Sequence, residues 1–389
     1  GIVYLDNAYY VMTPTNQIMG SSIGDPTAWL GANFINAISI AGSGVAIARY
    51  QNYIVAFKTE STEYFYDAAN PLPGSPLQGV PNAVTRIGCA HGGSVVNIDD
   101  TVVFMSKSIQ RGYQVSMLSG TSPQPISTPS VDRVLNNANS LSSDVYSFSI
   151  RMQGHSFYVL TLKGIPITLA YDMTTKTWAE WSYLTKGSTI SITSITQVNG
   201  LATVTTATPH GFSDGDPVVI SGATQSGYNL STNVTYVDST HFTYPVSSST
   251  VSPATGTITC YGYTESYFPM VSYLNGSSYD LLQHETNGKV YQASQTIYQD
   301  DGVPIDVLIR TPEWDGGNSD RKRIGYTELI GNKVASSAYI RSSDDDYNTW
   351  TNYRPVDMNA QRSRLVVGGS TRRRAFEIRH TDNTAFRVE

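Results

Sequence analysis

Between Val145 and Ser182 short apolar runs and polar breaks succeed one another regularly: VYSFSIRMQGHSFYVLTLKGIPITLAYDMTTKTWAEWS. A first strand ends at Gln153-Gly154. An aromatic strand, Phe157 to Leu162, follows and ends at Lys163-Gly164. A third strand covers Ile167 to Tyr171, and the turn Asp172-Met173-Thr174-Thr175-Lys176 leads to Trp178 and Trp181. Gly, Asn and Asp supply the backbone shapes that hairpin turns need. Three or four strands in about 40 residues is the size of one β-propeller blade.

The same order recurs. Asn7 precedes the strand Ala8–Met12, partnered by Gln17 to Ser21; Asn52 precedes Tyr53–Phe57, partnered by Glu63 to Asp67. Asp100 precedes Thr101–Met105, partnered by Tyr113 to Leu118, and the stretch around Gly154 is the fourth copy. The fifth is Asn275-Gly276-Ser277-Ser278-Tyr279-Asp280-Leu281-Leu282, partnered by Lys289 to Gln292. The turn residues Asn7, Asn52, Asp100, Gly154 and Gly276 are spaced by 45, 48, 54 and 122. Removing Gly187–Gly262, 76 residues of different character, contracts the last spacing to 46. That restores a period of roughly 40–50 residues, as four-stranded blades have.

The intervening stretch alternates apolar and polar residues closely, is rich in Ser and Thr, and nearly lacks Lys and Arg. Such alternation predicts half-buried strands, hence an inserted β-sandwich or barrel. One short helix is expected: Thr128 caps it, Pro129 takes its first position, Val131, Val134 and Leu135 share a face, and Asn136-Asn137 end it. The last section carries strands at Ile305–Arg310, Gly325–Ile330, Ala338–Arg341, Leu365–Val367, Phe376–His380 and Phe386–Val388, as a further blade or a separate sandwich.

The sequence therefore predicts an all-β protein: a propeller-like repeat of four-stranded sheets over 1–186, an inserted β domain over 187–262, the propeller continued over 263–302, and a C-terminal β-rich platform or closing blade over 303–389. A domain placed between blades is expected to leave by a surface loop and project outward.

Composition sharpens this picture. Of 389 residues only 14% are charged, well below the usual ~25%, while Tyr is common at 26. The net charge of −6 offers no attraction to a phosphate backbone. Residues 1–300 carry 11 Lys/Arg against 18 Asp/Glu, whereas 301–389 carry 14 against 13. The Arg-rich end reads as a solvated or subunit-contact surface. Cys89 and Cys260 lie in different units, so no disulfide framework is read. No apolar run approaches the ~20 residues of a membrane span. No signal peptide opens the chain, and Gly1-Ile2-Val3 begins in a strand-like pattern without Met, as expected of a fragment or processed product.

Motifs with chemistry are few. Ser343-Asp344-Asp345-Asp346-Tyr347-Asn348-Thr349-Trp350 resembles the Asp-box S-x-D-x-G-x-T-W, with Tyr347 in place of Gly; an ordinary acidic turn is equally open. Asp344, Asp346 and Asn348 mimic the start of a calcium loop, but Thr349 and Pro355 stand where Gly and Glu are required. Gly20-Ser21-Ser22-Ile23-Gly24 matches G-x-S-x-G by chance, since Asp25-Pro26 follows where a helix should start. His210, Asp214 and Asp216 read as a hairpin with Gly211 and Gly215 at turns, and His91, His155, His241, His284 and His380 read as structural. The residues singled out, Asp172, Trp178, Ser343, Asp345 and Trp350, are structural-turn candidates; no catalytic, cofactor-binding or metal-ligating residue is assigned.

The runs YLDNAYYVM, VAFKTESTEYFYDAANP, RIGCAHGGSV, DDTVVFMSKSIQRGYQVSML, ISTPSVDRVL, GHSFYVLTL, YDMTTKTWAEW and RHTDNTAFRVE resemble tail hub or nozzle proteins of short-tailed bacteriophages, the packaged-DNA stabilisation proteins. The resemblance covers most of 1–186 and 263–389. The insert departs from it, and its PHGFSDGDPVVISGA is similar to a small β module of various phage structural proteins. The resemblance implies a virion part assembled in the host cytoplasm: a homohexameric ring below portal and adaptor rings. It would close the tail channel, retain DNA without reading its sequence, and anchor fibres, spikes or a needle. Subunit contacts are expected from the C-terminal section and the blade edges. The rival expectation is a glycan-binding or sialidase-like propeller. That would need an arginine cluster, a Tyr–Glu pair and an acid Asp in one cleft.

Overall fold

A computed structural model of the chain describes residues 1–71, 73–276 and 280–388. The chain divides into two compact units, Gly1–Ser182 with Tyr267–Ala293, and Tyr183–Ser266 with Ser294–Glu389.

The first unit is a series of antiparallel sheets, each built from strands consecutive in sequence. Sheet one comprises β1 (Ile2–Leu5), β2 (Ala8–Met12), β3 (Gln17–Gly20) and β4 (Phe34–Asn36). Sheet two comprises β5 (Gly44–Tyr50), β6 (Tyr53–Lys58), β7 (Thr62–Asp67) and β8 (Leu77–Thr85). Sheet three comprises β10 (Val96–Ile98), β11 (Thr101–Ser108), β12 (Gly112–Ser119) and β13 (Ser122–Pro125), with β9 (Gly88–Cys89) added against β11. Sheet four comprises β14 (Val145–Met152), β15 (His155–Leu162), β16 (Ile167–Asp172) and β17 (Thr177–Glu180). Sheet five has three strands, β27 (Met270–Asn275), β28 (Asp280–His284) and β29 (Val290–Gln292). The fold is all-β and propeller-like, as the repeat predicted.

Asn7, Asn52, Asp100 and Gly154 occupy one topological position, the second residue of the two-residue turn joining a sheet's first and second strands. A positive φ falls on the residue before, at Asp6, Gln51, Asp99 and Gln153, and in two of the turns on Asn7 and Gly154 as well. Gly276 follows β27, but the expected turn at Ser277, Ser278 and Tyr279 lies outside the described residues.

Burial explains why the second strands read so clearly. Successive side chains point to opposite faces of a sheet. In β6, Ile54 and Ala56 enter a core shared with sheet one, while Val55 and Phe57 enter one shared with sheet three. In β11, Val102 and Phe104 face sheet two, and Val103 and Met105 face sheet four. In β15, Tyr158, Leu160 and Leu162 face sheet three and Val159 faces sheet five. The helix α1 (Pro129–Leu135) forms where expected: the Thr128 side chain accepts from Val131 N, Pro129 opens the helix, and Val131 and Leu135 are buried against sheets three and four.

In the second unit, the neck strands β18 (Ser182–Lys186) and β26 (Tyr263–Tyr267) pair with each other. Between them lie β19 (Ile190–Val198), β20 (Leu201–Thr206), β21 (Pro217–Ala223), β22 (Ser231–Asn233), β23 (Thr235–Asp238), β24 (His241–Pro245) and β25 (Gly256–Tyr261). They form one sheet in the order β22-β21-β25-β19-β20-β24-β23. The start of β19 pairs with β25 and the rest with β20, and its register shifts between Ile192 and Ser194. Both halves line one core around Ile195, Val204, Tyr228, Phe242 and Cys260, so the sheet closes into a small sandwich.

The C-terminal section holds a small hairpin, β30 (Gln299–Asp300) with β31 (Val303–Pro304). It also holds β32 (Val307–Arg310), β33 (Lys322–Leu329), β34 (Ser337–Ser343), β35 (Arg354–Asp357), β36 (Ser363–Thr371) and β37 (Ala375–His380). A sheet ordered β32-β37-β34-β35 and the two-stranded antiparallel sheet β33-β36 share one core. The order is not consecutive, so this section is a sandwich and not another blade of the same kind. Phe386–Val388 is not a strand; it contributes only a bridge between Gly331 and Val388. The unforeseen strand β35 contains Pro355, which its edge position tolerates.

Candidate functional site

Asp172 closes the turn between β16 and β17. Its carboxylate accepts from Thr174 N (2.8 Å) and Thr175 Oγ1 (2.8 Å) and pairs with His155 Nδ1 at 2.7 Å. Burial opposes its ionisation, but the Thr175 hydroxyl, the Thr174 and Thr175 amides and His155 outweigh it and hold the carboxyl at about 2. Trp178 stands opposite Tyr171 across the strands, with ring centroids 5.0 Å apart, and its indole N–H donates to Ile126 O at 2.9 Å. Both side chains serve packing.

At the end of β34 the acidic run forms a tight turn. Asp345 accepts from the Ser343 hydroxyl (2.9 Å), Thr349 N (2.9 Å) and Thr349 Oγ1 (2.5 Å), and Tyr347 N donates to Ser343 Oγ at 3.1 Å. Tyr347, at the place of the missing Gly, has φ +65°, and Asp346 before it has φ +59°. The backbone thus adopts the shape glycine favours without glycine. Trp350 lies against guanidinium groups, 5.0 Å from Arg341 and 5.7 Å from Arg310. The calcium-like set is committed elsewhere: Asp344 receives two bonds from Arg374, Asp346 pairs with Arg373, and Asn348 donates to Asp345 O. Among the described residues no group of His, Cys, Asp and Glu is placed to hold a metal ion.

The remaining candidates separate likewise. Ser22 is followed by a bridge to Asp25, not by a helix. The PHGFSDGD stretch is no hairpin, because β20 and β21 on either side of it pair with other strands. There His210 bonds to Asp238 O and Phe212 N, Asp214 accepts from Tyr236 N, and Asp216 pairs with Arg379. Of the other histidines, His91 accepts from Gly93 N through its side chain, His155 pairs with Asp172 and His380 bonds to Ser336 Oγ.

Two clusters emerge that the sequence did not single out. On one face of the C-terminal sheet, Arg310 and Arg341 stand opposite Glu377 in neighbouring strands. Both donate to its carboxylate, at 2.5 and 2.6 Å, and Tyr353 Oη donates as well. Glu377 is fully buried; burial opposes its ionisation, yet Tyr353, Arg341 and Arg310 hold its carboxyl below the ordinary value. Arg379 on the same strand is divided between Asp306 and Asp216. In the first unit, Lys58 is buried and donates to Glu63 (2.9 Å), Ala37 O (2.9 Å) and Ile40 O. Ser39 Oγ completes that site, donating to the other Glu63 oxygen at 2.9 Å. Cross-strand pairing together with loop residues such as Ser39 and Tyr353 brings these groups together, and spacing along one strand carries no signal of it.

Consecutive antiparallel sheets, four of them with at least four strands, define a propeller-like scaffold. Residues 2–208 match the family described as Bacteriophage P22 Gp10, beta-propeller, and the chain belongs to that phage stabilisation family. No curated protein matches the chain. Among solved structures it is similar to BamB from Moraxella catarrhalis, at 11% identity over 75% of this chain and 83% of that one, with a TM-score of 0.28. The phage phi92 endosialidase follows at 14% identity, 68% and 46% coverage and a TM-score of 0.17. A glycoside hydrolase aligns at 11% identity, 99% and 94% coverage and 0.20. None of the three bears on activity.

Proposed function

We propose that the chain is a non-enzymatic structural protein of a short-tailed phage virion, the nozzle or hub of the tail. In this reading six copies form a ring below portal and adaptor rings, close the DNA channel, retain the packaged genome and pass it on ejection. Fibres, spikes or a needle attach to the ring, and assembly takes place in the host cytoplasm. Membership of the phage stabilisation family over residues 2–208 carries the reading. The net charge of −6 supports it, because a conduit through which DNA slides is better served by repulsion than by phosphate binding. Imaging of the assembled particle tests it. A sixfold ring below the portal is expected, and a lumen lined mainly by Lys and Arg would overturn the sliding channel.

The glycan-directed reading has one specific observation in its favour, the convergence of Arg310, Arg341 and the Tyr353–Glu377 pair. Both guanidinium groups are engaged by Glu377, and Asp306 and Asp216 are engaged by Arg379. A glycosidase assay on the intact protein separates the readings, since turnover is expected of only one.

A further inference from the structure

The insert and the C-terminal section both belong to the second unit. Neither core takes a side chain from the other. A cavity of about 260 Å³ opens between them, walled by Leu184 and Tyr263 of the neck, Gly211 and Phe212 of the insert, and Arg379 of β37. Beside it Arg379 Nη1 donates to Asp216 Oδ1 at 2.6 Å, and Thr381 Oγ1 donates to Asn233 Oδ1 at 3.1 Å. Gly215 lies against two rings of the C-terminal section; a Cβ there would be 3.5 Å from Tyr339 and 3.7 Å from Tyr353. Parting these contacts strands no charge. Arg379 keeps Asp306, which takes Nε at 2.9 Å and Nη2 at 2.7 Å. Asp216 keeps its own loop, because its second oxygen accepts from Ser213 N at 2.7 Å. Each partner exchanges one bond for water, which costs far less than leaving a buried charge alone. The turning point is also defined. The insert joins the rest of the chain at the neck, where Gly187 N donates to Gly262 O, and residues at the ends of elements are those that absorb a hinge rotation.

We infer that the insert is a swinging arm, latched to the C-terminal sheet through Asp216 and Asn233. Latched, it covers the Tyr339 and Tyr353 rings. Released, it turns about the neck as a rigid body, with its own core intact, and bares them. The Asp216–Arg379 pair exists in one position only, so it sets the balance between the two.

The distance between two spin labels on the full chain tests this. Cys89 and Cys260 are buried and take no label. Ser249→Cys places one label on an exposed loop at the end of the insert remote from the neck, and Ser319→Cys the other on an exposed loop of the C-terminal section. Pulsed dipolar spectroscopy of the doubly labelled parent should give one narrow distance. Asp216→Asn keeps an oxygen for Ser213 and removes the charge; it should raise the population at other distances about fivefold or more. Thr381→Val removes the second bond without touching a charge, and should raise that population about twofold. It reads the latch even where the charge change disturbs folding. Asp306→Asn should keep the parent distance, because Arg379 still has Asp216. The inference is overturned if the distance stays single and unchanged in both Asp216→Asn and Thr381→Val, which would mean a fixed joint. It is equally overturned if the parent is already broad, or if Asp306→Asn frees the insert as far as Asp216→Asn does, which would make Arg379 a general support of the sheet and not a latch.

Discussion

The amide of Gly187 donates to the carbonyl of Gly262 at 2.9 Å, and those two residues bound the insert. Its 76 residues thus leave and re-enter at one point, through the paired neck strands β18 and β26. Its core is drawn from its own side chains alone, from Ile190 to Cys260. The segment 187–262 expressed by itself should unfold cooperatively on heating. A chain lacking it should keep sheets one to five while losing the Asp216–Arg379 and Asn233–Thr381 contacts. Circular dichroism melting of both pieces checks this; an aggregated deletion variant would count against it.

The Lys58–Glu63 pair predicts that single and double changes are far from additive. Lys58→Met leaves a buried carboxylate with Ser39 alone, and Glu63→Leu leaves a buried ammonium with only carbonyl oxygens. Each single change should cost about 3–5 kcal/mol. The double variant should cost far less than the sum, since neither charge is then stranded. Denaturant unfolding of the three variants measures the coupling.

Asp172 predicts a pH dependence. Its folded-state value, about 2, lies below the ordinary 3.8, so the folded state holds the proton less tightly than the unfolded chain. The stability this adds is present above pH 4 and is lost as pH falls towards 2. Melting temperatures of the parent and Asp172→Asn should differ at pH 6 and converge between pH 4 and pH 2. A constant gap would show that the charge is not what the turn uses.

Gly93 sits where sheets three and four meet. A Cβ there would lie 2.1 Å from Val145 O, backbone that cannot yield without moving β14. Gly93→Ala should cost about 1–3 kcal/mol through overpacking. Gly31→Ala, where a Cβ meets nothing within 4 Å, serves as the control in the same chemical denaturation series.

What could be read in the sequence follows from burial. Runs such as Tyr53–Phe57 and Val102–Met105 are apolar throughout because each second strand is covered on both faces, and those runs set the repeat. First strands are harder to see: Val96–Ile98 is only three residues long, and Ile2 and Tyr4 are exposed. The turn residues Asn7, Asn52, Asp100 and Gly154 marked the right places. The left-handed residues beside them include Gln51 and Gln153, which have no such preference and adopt the shape because the flanking strands impose it. Arg310, Arg341, Tyr353 and Glu377 were legible only as scattered charges and aromatics. Their meeting depends on strands ordered β32-β37-β34-β35, and no local pattern encodes that order.

Sheets made of consecutive strands also bear on translation. Once Asn36 has left the ribosome, every residue of sheet one is available to pair, and the same holds for sheet two at Thr85 and sheet three at Pro125. Such short-range closure is fast and leaves little unpaired edge waiting. The sandwich of the second unit differs, because the middle strand Ile190–Val198 needs Gly256–Tyr261 before it is flanked on both sides. Nascent chains stalled at successive lengths should therefore gain protease resistance one sheet at a time through the first four. Resistance should then pause until the residues around Tyr261 emerge.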